Sequence, residues 1–335
     1  MTELPPSRPT HRGAISGMLD SMIELEGLTK RYGKTVAVQD LTFTVRPGIV
    51  TGFLGPNGAG KSTTMRMILG LDKPTAGTAL VQGKPYHELD HPLRTVGALL
   101  DAKWVHPNRS ARAHLAWMAA SNDIPKSRVA EVLRLVGLSE VAGKPAGGFS
   151  LGMSQRLGLA GALLGDPPVL LFDEPVNGLD PEGILWIRRF LQRLAAEGRT
   201  VLVSSHLLAE MAQTAEHLVV IGRGKLISDS TTQDFVERAS EQSVRVRSPQ
   251  LAHMRSLLIA NGFAVREDGV DPENPALVVA GASSDAVGKL AGANAITLFE
   301  LAPQLASLEE AFMRMTGDAV QYHGEGVDQV MGGAL

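Results

Sequence analysis

The sequence predicts an α/β fold built around a largely parallel β-sheet, with a small antiparallel part and a helical insertion. Three short runs are nearly continuous in apolar residues: IVTGFL (49–54), PVLLF (168–172) and TVLVSS (200–205). Strands of this kind lie in the centre of a parallel sheet that helices cover on both faces. Nearer the start, MIELEGL and LTFTV alternate apolar and polar residues, which indicates half-buried antiparallel strands.

A helix between the first two apolar runs is predicted from the stretch SRVAEVLRLVG. Val129, Val132, Leu133 and Val136 recur at helical spacing and form one apolar stripe. Gly137 follows the stripe and is placed to end the helix. Strands that alternate with helices of this length are typical of an α/β protein.

The chain divides into four segments of different character. We expect a disordered extension at 1–21, the α/β domain at 22–235, a small α+β accessory domain at 240–317 and a mobile tail at 318–335. In the accessory domain, SVRVRS predicts a strand, QLAHMRSLLIANG a helix, and LVVA and ITLFEL two further strands around a small helix. A last helix is predicted for SLEEAFMRMTG, because Ser307 and Glu310 form a capping box and Gly317 ends it.

Composition narrows the class of protein. Of the 335 residues, 44% are hydrophobic and 20% are charged, as in globular proteins. Cysteine is absent, which excludes disulfides and thiolate metal sites. The net charge of −3 gives no general attraction to nucleic acid or anionic lipid. No apolar run approaches the length of a membrane span, so a role at a membrane would require a separate partner.

The stretch GPNGAGKS (55–62) matches the phosphate-binding pattern G-x-x-x-x-G-K-[ST] without a mismatch. An apolar strand precedes it and a helical stretch follows it, which argues against an accidental glycine-rich turn. In such a loop Lys61 reaches the β- and γ-phosphates of a nucleotide, and the hydroxyl of Ser62 ligates Mg²⁺. The predicted nucleotide-binding residues of the loop are Gly55, Asn57, Gly58, Ala59, Gly60, Lys61, Ser62 and Thr63.

Two carboxylates end the second apolar run, in PVLLFDEP. The carboxyl ends of neighbouring strands share one edge of a parallel sheet, so Asp173 is placed to hold Mg²⁺ through water. Glu174 points in another direction and is placed to orient or deprotonate the attacking water. An ordinary acidic turn would look the same in isolation, but its position behind a phosphate loop favours the catalytic interpretation. Together the two motifs predict a P-loop NTPase.

The stretch FSLGMSQR (149–156) precedes a short apolar helix upstream of these carboxylates. Ser150 and Gly152 lie before the N-terminus of that helix, where a hydroxyl, backbone N–H groups and the helix dipole can face one anion. A second anion site is redundant within a molecule whose phosphate loop already binds a nucleotide. We therefore expect it to face the nucleotide of another copy.

With these motifs in order, the chain resembles the ATPase subunit of an ABC transporter, from about Ile23 to Gly317. FSLGM resembles the family's signature motif, NGLDP its D-loop and SSH its switch-histidine segment. The signature departs from the usual Leu-Ser-Gly-Gly-Gln because Phe149, Leu151 and Met153 replace three of its residues. This variant and the closing SLEEAFMRMTG resemble the daunorubicin- and bacitracin-resistance type of exporter, whose membrane half is a separate chain.

The resemblance implies a head-to-tail dimer of ATPase subunits with two ATP molecules between them. Each ATP would contact the phosphate loop of one copy and Ser150 and Gly152 of the other. Tyr32 would stack on adenine, His206 would contact the γ-phosphate, and Asp180 would lie at the dimer seam. The expected cofactors are ATP and Mg²⁺. The expected partner is a separately encoded integral membrane permease, for efflux of a drug or lipid-like compound. This chain would then lie at the cytoplasmic face of the membrane as a peripheral subunit.

Asp101 is the clearest departure from the family pattern. It follows VGALL, where most family members carry a glutamine that touches Mg²⁺ and the coupling surface. A carboxylate is a better ligand for a hard cation than an amide, so we expect Asp101 to face the metal. The alternative is that Asp101 only begins the helical insertion.

Two other functions fit part of this pattern. One is an ABC ATPase that acts on ribosomes or DNA rather than in transport; a single ATPase unit, no heptads and a pI of 6.3 argue against it. The other is an importer ATPase with a regulatory C-terminal domain, against which the signature variant argues.

Overall fold

The computed structural model describes residues 22–101, 105–239, 243–268 and 275–304. Contacts divide the chain into two compact units between Ser230 and Thr231. The domain bounds expected from the sequence remain predictions. In the described part of the chain, no helix combines the length and the apolar composition needed to cross a membrane.

A three-stranded antiparallel sheet opens the first unit, with the order β2-β1-β4. Its strands are β1 (Ile23–Tyr32), β2 (Thr35–Val45) and β4 (Ala76–Val81). The alternation in MIELEGL and LTFTV therefore predicted two antiparallel strands correctly, and the structure pairs them with each other. The rings of Phe43 in β2 and Phe53 lie 5.4 Å apart, which joins this sheet to the larger one.

The larger sheet of the first unit has six strands in the order β5-β6-β7-β3-β8-β9. Its strands are β3 (Val50–Leu54), β5 (Val96–Leu99), β6 (Val169–Asp173), β7 (Thr200–Ser205), β8 (His217–Gly222) and β9 (Lys225–Thr231). The three apolar runs are the neighbours β6, β7 and β3, which pair in parallel as predicted. Their carboxyl ends meet at one edge, because Leu54 lies opposite Ser205 and Asp173 opposite Ser204.

Seven helices of the described first unit connect these strands. They are α1 (Lys61–Ile68), α2 (Pro92–Thr95), α3 (Ala111–Ala120), α4 (Lys126–Leu135), α5 (Leu151–Ala162), α6 (Pro181–Ala196) and α7 (Leu208–Ala212). The predicted helix is α4, which buries Val129, Val132 and Leu133. Gly137 follows it at a φ of 73°, a left-handed conformation that glycine adopts without strain.

The second unit is a four-stranded antiparallel sheet with the order β11-β12-β10-β13. Its described elements are α8 (Thr232–Ala239), β10 (Ser243–Arg247), α9 (Leu251–Ala260), β11 (Ala264–Asp268), β12 (Ala276–Ala280), α10 (Ser284–Ala293) and β13 (Glu300–Gln304). Apolar residues of the strands pack with Met254 and Leu258 of α9 and with Val287 and Ala291 of α10. Arg245 of β10 pairs with Asp268 of β11, two strands away in the sheet, at 2.6 Å, and with Glu300 of the neighbouring strand β13 at 2.5 Å.

Two details of this unit differ from the sequence expectation. Strand β11 was missed, because it is an edge strand whose residues are mostly exposed and whose pattern, AVRED, is mainly polar. The strand expected over ITLFEL (296–301) begins only at Glu300. Ile296 is instead buried in the core just after α10, and the backbone N–H of Thr297 donates to Gln250 Oε1. The helix expected for Ser307–Gly317 lies outside the described residues.

Candidate active site

The phosphate-loop motif forms the connection between the end of β3 and the start of α1. Gly58 and Gly60 have φ angles of 82° and 106°, which side-chain-bearing residues rarely adopt. The N–H of Thr64 donates to the carbonyl of Gly60 at 2.9 Å, so the helical hydrogen bonds begin there. The N–H groups before it have no acceptor within the helix, and such groups bind anions.

Two glycines of the loop leave no room for a side chain. A Cβ on Gly55 would lie 2.6 Å from the carbonyl oxygen of Ile221, and one on Gly60 would lie 2.6 Å from that of Ala37. The loop is therefore packed against the neighbouring backbone of β8 and β2 on its inner side. Asn57 and Gly58, at its tip, are exposed, whereas Ala59 is buried. The loop therefore forms a backbone cradle, packed on its inner side and open at its tip, that fits a phosphate group.

Lys61, the first residue of α1, points inward and is only 6% exposed. Its Nζ donates to the carbonyl oxygen of Gly55 at 2.7 Å and lies 3.3 Å from Oε1 of Glu174. A buried ammonium group requires such partners because an unpaired charge is costly in the interior. The loop therefore holds a positive charge directly beneath the region where the helix N-terminus favours an anion.

The two carboxylates at the end of β6 contact the end of β7. The hydroxyl of Ser204 donates to Oδ1 of Asp173, and Oγ of Ser204 accepts a hydrogen bond from the N–H of Glu174 at 3.0 Å. Glu174 has a φ of 48°, in the left-handed region. This conformation ends the alternation of a strand, in which successive side chains point to opposite faces. Asp173 thus contacts Ser204 of β7, whereas Glu174 contacts His206, the residue after β7.

His206 follows β7 directly, and its Nδ1 lies 2.8 Å from Oε2 of Glu174. Because a carboxylate only accepts hydrogen bonds, Nδ1 is the donor in this pair. The carboxylate of Glu174 therefore joins Lys61 through one oxygen and His206 through the other. The three residues predicted as catalytic are brought together by the fold.

Tyr32, at the end of β1, keeps 49% of its surface exposed. Its hydroxyl donates to Oδ2 of Asp72 at 3.0 Å, and Arg66 of α1 pairs with the same oxygen at 2.7 Å. Nζ of Lys30 lies 4.9 Å from the centre of the ring. Loss of solvation and the hydrogen bond to Asp72 raise the pKa of Tyr32, and the hydrogen bond from Arg66 lowers the pKa of Asp72. The ring is thus held in place while remaining open to stacking.

The residues predicted to bind a metal all offer oxygen atoms. Ser62 is exposed in the first turn of α1, beside the half-buried Thr63. Asp173 accepts from Ser204 with Oδ1, and its Oδ2 has no hydrogen-bond partner among the described residues. Asp101 is exposed and lies just beyond β5, whose Leu99 pairs with Phe172. It thus follows a strand end at the same sheet edge as Asp173. A set of hydroxyl and carboxylate oxygens fits Mg²⁺.

The signature residues form a second cluster. Ser150 caps α5, with its Oγ accepting from the N–H of Met153 at 3.2 Å, and Asp180 caps α6, with its Oδ1 accepting from the N–H of Gly183 at 2.9 Å. Because α5 begins at Leu151, Gly152 lies in its first turn rather than before the helix as expected. A Cβ built on Gly152 would lie 3.6 Å from Leu179, in the D-loop. Among the described residues, no hydrogen bond joins Ser150, Gly152 or Asp180 to the phosphate loop. One copy of the chain therefore presents two separate clusters.

Sequence reasoning missed several supporting residues. Asp72 holds Tyr32, and Ser204 holds both carboxylate residues. In addition, the guanidinium of Arg156 lies 4.0 Å above the ring of Trp186, which connects α5 to α6. Ser204 lies in the apolar run TVLVSS and Arg156 in the signature stretch FSLGMSQR. Their contacts, however, depend on which strands and helices are neighbours, and no local pattern indicates that.

Comparisons with known proteins agree with these motifs. A family model described as ABC transporter matches residues 38–177, and one described as a domain of unknown function matches residues 242–309. The chain is 36% identical over 304 residues to YhcH of Bacillus subtilis (strain 168), an uncharacterized ABC transporter ATP-binding protein, covering 90% of this chain and 97% of that one. It is 35% identical over 305 residues to the bacitracin transport ATP-binding protein BcrA of Bacillus licheniformis, covering 89% and 98%.

Among solved structures, the dimeric bacterial ABC transporter cassette MJ0796 has a TM-score of 0.58 and 26% identity, covering 63% of this chain and 99% of that chain. These similarities confirm the predicted fold class. They also confirm the predicted relationship to drug-resistance exporters and do not favour a ribosome- or DNA-associated ATPase or an importer. The chain belongs to the family of ABC transporter ATP-binding proteins, in the exporter group, and is an ATPase.

Proposed function

We propose that two copies of this chain bind two ATP molecules head to tail, and that ATP hydrolysis drives a separate membrane permease that exports a drug or lipid-like compound. The observation that carries this proposal is the carboxylate of Glu174, which contacts Lys61 beneath the phosphate loop and His206 at the end of β7. An acidic side chain between a buried cation and a histidine is suited to phosphoryl transfer to water.

ATP is held mainly by the loop between β3 and α1. Backbone N–H groups before Thr64 bind its phosphates, and Lys61 neutralises the β- and γ-phosphates. Tyr32 stacks on the adenine with the face of its ring. The hydrogen bond from its hydroxyl to Asp72 supports this role, because it fixes the ring at the edge of the site.

The oxygens of Ser62 and Asp173, with Asp101 at the neighbouring strand end, would hold Mg²⁺. When it is bound, this ion neutralises negative charge on the phosphates. Asp101 carries a charge where the family pattern has an amide, and it cannot face the γ-phosphate without repulsion. Its role is therefore tied to the metal rather than to the nucleotide.

In the hydrolytic step Glu174 takes the proton of the attacking water. A bond forms between the water oxygen and the γ-phosphorus, and the bond from that phosphorus to the oxygen of ADP breaks, which yields ADP and inorganic phosphate. His206 donates to Glu174 from Nδ1, which leaves Nε2 as the ring nitrogen that can contact the γ-phosphate. The same hydrogen bond orients the carboxylate.

The second copy contributes Ser150 and Gly152. The hydroxyl of Ser150 accepts a hydrogen bond from Met153, so its own proton remains available to a phosphate oxygen. The N-terminus of α5 adds its partial positive charge. Asp180, which caps α6 beside the same cluster, lies at the seam between the copies.

The permease binds beside the signature stretch, at the cytoplasmic face of the membrane. A groove of about 440 Å³ in this region is lined by apolar side chains, among them Val105, Pro107, Phe149, Leu151 and Leu157. An apolar groove of this kind suits a helical element of a partner. The relative named for bacitracin transport supports a drug-like cargo.

The dimer is tested with Ser150→Arg, which places a long charged side chain at the expected seam. The variant is expected to bind ATP as the wild type does, but to show no ATP-dependent dimer in gel filtration and no phosphate release. Ser110→Arg is the matched control, because Ser110 caps α3 with the same 3.2 Å hydrogen bond. Either change removes a cap worth about 0.5–2 kcal/mol. An ATP-dependent dimer of Ser150→Arg would contradict the proposal.

A further inference from the structure

Ser204 is a fully buried residue of β7, with 0% of its surface exposed. It lies directly opposite Asp173 in the parallel pair of β6 and β7. Its hydroxyl donates to Oδ1 of Asp173 and accepts from the N–H of Glu174 at 3.0 Å. A hydroxyl has one proton and two lone pairs, so it makes both bonds at once. One side chain therefore connects the two acidic residues.

Glu174 needs such support because its backbone is strained. A residue other than glycine in the left-handed region is held there only when surrounding contacts determine it, and Glu174 has a φ of 48°. Its N–H bonds to Ser204 at the end of the strand pairing, and its carbonyl accepts from the N–H of Asn177 at 3.1 Å. In this conformation the carboxylate reaches Lys61 and His206.

Burial in β7 does not by itself provide a hydroxyl group with hydrogen-bond partners. Thr200, at the other end of β7, is also 0% exposed, and its Oγ1 has no hydrogen-bond partner among the described residues. A buried hydroxyl without a partner is unfavourable, so the hydroxyl of Thr200 does not stabilise β7. At Ser204, by contrast, both hydrogen-bonding capacities are directed at residues of the site.

We propose that Ser204 is a positioning residue for ATP hydrolysis, which orients the carboxylate of Asp173 and the backbone of Glu174 through a single hydroxyl. This inference rests on the proposed function, in which Asp173 holds Mg²⁺ and Glu174 accepts the proton. Ser204 touches neither substrate nor metal. It couples the metal-binding carboxylate of Asp173 to the base, Glu174, so that the two groups keep a constant relative position.

The test compares Ser204→Ala with Thr200→Val, which removes a hydroxyl from the same strand without removing a hydrogen bond. Substitutions of residues that orient metal ligands typically cost 10–100-fold in metal affinity or activity. For Ser204→Ala we expect kcat to fall by about 10–100-fold and half-maximal activity to need more Mg²⁺. ATP affinity without Mg²⁺ is expected to stay within about threefold of wild type, because the phosphate loop is unchanged. Ser204→Thr, which keeps the hydroxyl, is expected to recover most of the lost kcat.

Thermal melting checks that each variant is folded. If Ser204→Ala does not fold, Ser204→Cys takes its place, because a thiol fills the space but is a weak donor. A wild-type kcat and Mg²⁺ dependence in the hydroxyl-free variant would overturn the inference. An equal loss of metal-free ATP binding would also overturn it, since that indicates general damage.

Glu174→Gln is measured in parallel to separate two failures. If that variant is inactive while Ser204→Ala is fully active, only the positioning role fails. If Glu174→Gln hydrolyses ATP normally, the proposed function itself fails.

Discussion

Nζ of Lys61 lies 3.3 Å from Oε1 of Glu174, so the cation expected to bind phosphate is paired with the expected base. ATP binding would exchange this single carboxylate for the charges of two phosphates. Removing the carboxylate should therefore leave ATP binding intact, whereas removing the ammonium group should weaken it. Substitutions of the two residues should consequently have different effects on ATP affinity.

Lys61→Ala is expected to lower ATP affinity at least about tenfold, or about 1.4 kcal/mol, because it removes the positive charge beneath the loop. Equilibrium titration of the purified chain with ATP measures this affinity. Lys144→Ala, which removes an exposed lysine far along the chain, is the control. Wild-type affinity in Lys61→Ala would contradict the assignment of the phosphate loop.

Glu174→Gln keeps the size of the side chain but cannot accept a proton. We expect phosphate release to fall by about 10²–10⁴-fold, while ATP still binds and the dimer persists. Steady-state phosphate release and gel filtration with Mg-ATP measure the two effects. Glu140→Gln, at an exposed site, controls for the loss of one negative charge. A variant that hydrolyses normally, or one that never dimerises, would count against the role of Glu174.

Asp101→Ala is expected to leave ATP affinity nearly unchanged and to uncouple hydrolysis from the permease. The reason is that Asp101 follows β5 at the metal side of the sheet edge rather than in the phosphate loop. ATPase activity is measured across a Mg²⁺ titration, with and without the membrane partner. Asp101→Asn separates charge from shape, since it restores an amide like that of the family pattern. If Asp101→Ala matches wild type in Mg²⁺ dependence and partner stimulation, Asp101 is a bystander.

His114 in α3 predicts a pH dependence of stability. Burial lowers the pKa of His114, the charge of Arg109 lowers it further, and its Nδ1 has no hydrogen-bond partner among the described residues. The unfolded chain therefore binds this proton more readily than the folded chain. The associated stability is fully present above the unfolded pKa of about 6.5 and decreases as the pH falls from there towards the lower folded pKa.

We expect the melting temperature of His114→Gln to fall less than that of wild type between about pH 7.5 and about pH 5.5. Thermal melts at the two pH values measure this difference. His253→Gln, at an exposed position of α9, is the control. Equal losses in wild type and His114→Gln would show that His114 does not contribute.

The sequence by itself determined the features that depend on contiguous residues. The phosphate loop needs glycines, a lysine and a serine at fixed spacing, so GPNGAGKS identified it without any tertiary information. The apolar runs predicted β3, β6 and β7, because strands buried on both faces lack alternation. The edge strand β11 escaped prediction, since an exposed strand is under no comparable constraint.

Only the tertiary structure decided which distant side chains meet. The bond between Ser204 and Asp173 depends on β6 and β7 being neighbours in register, and the bond between Tyr32 and Asp72 spans 40 residues. Hydrophobic patterns specify that a strand is buried, but they do not specify its neighbour or its register. The contact of Glu174 with both Lys61 and His206 also requires the left-handed backbone at Glu174, which surrounding hydrogen bonds impose and no local motif encodes.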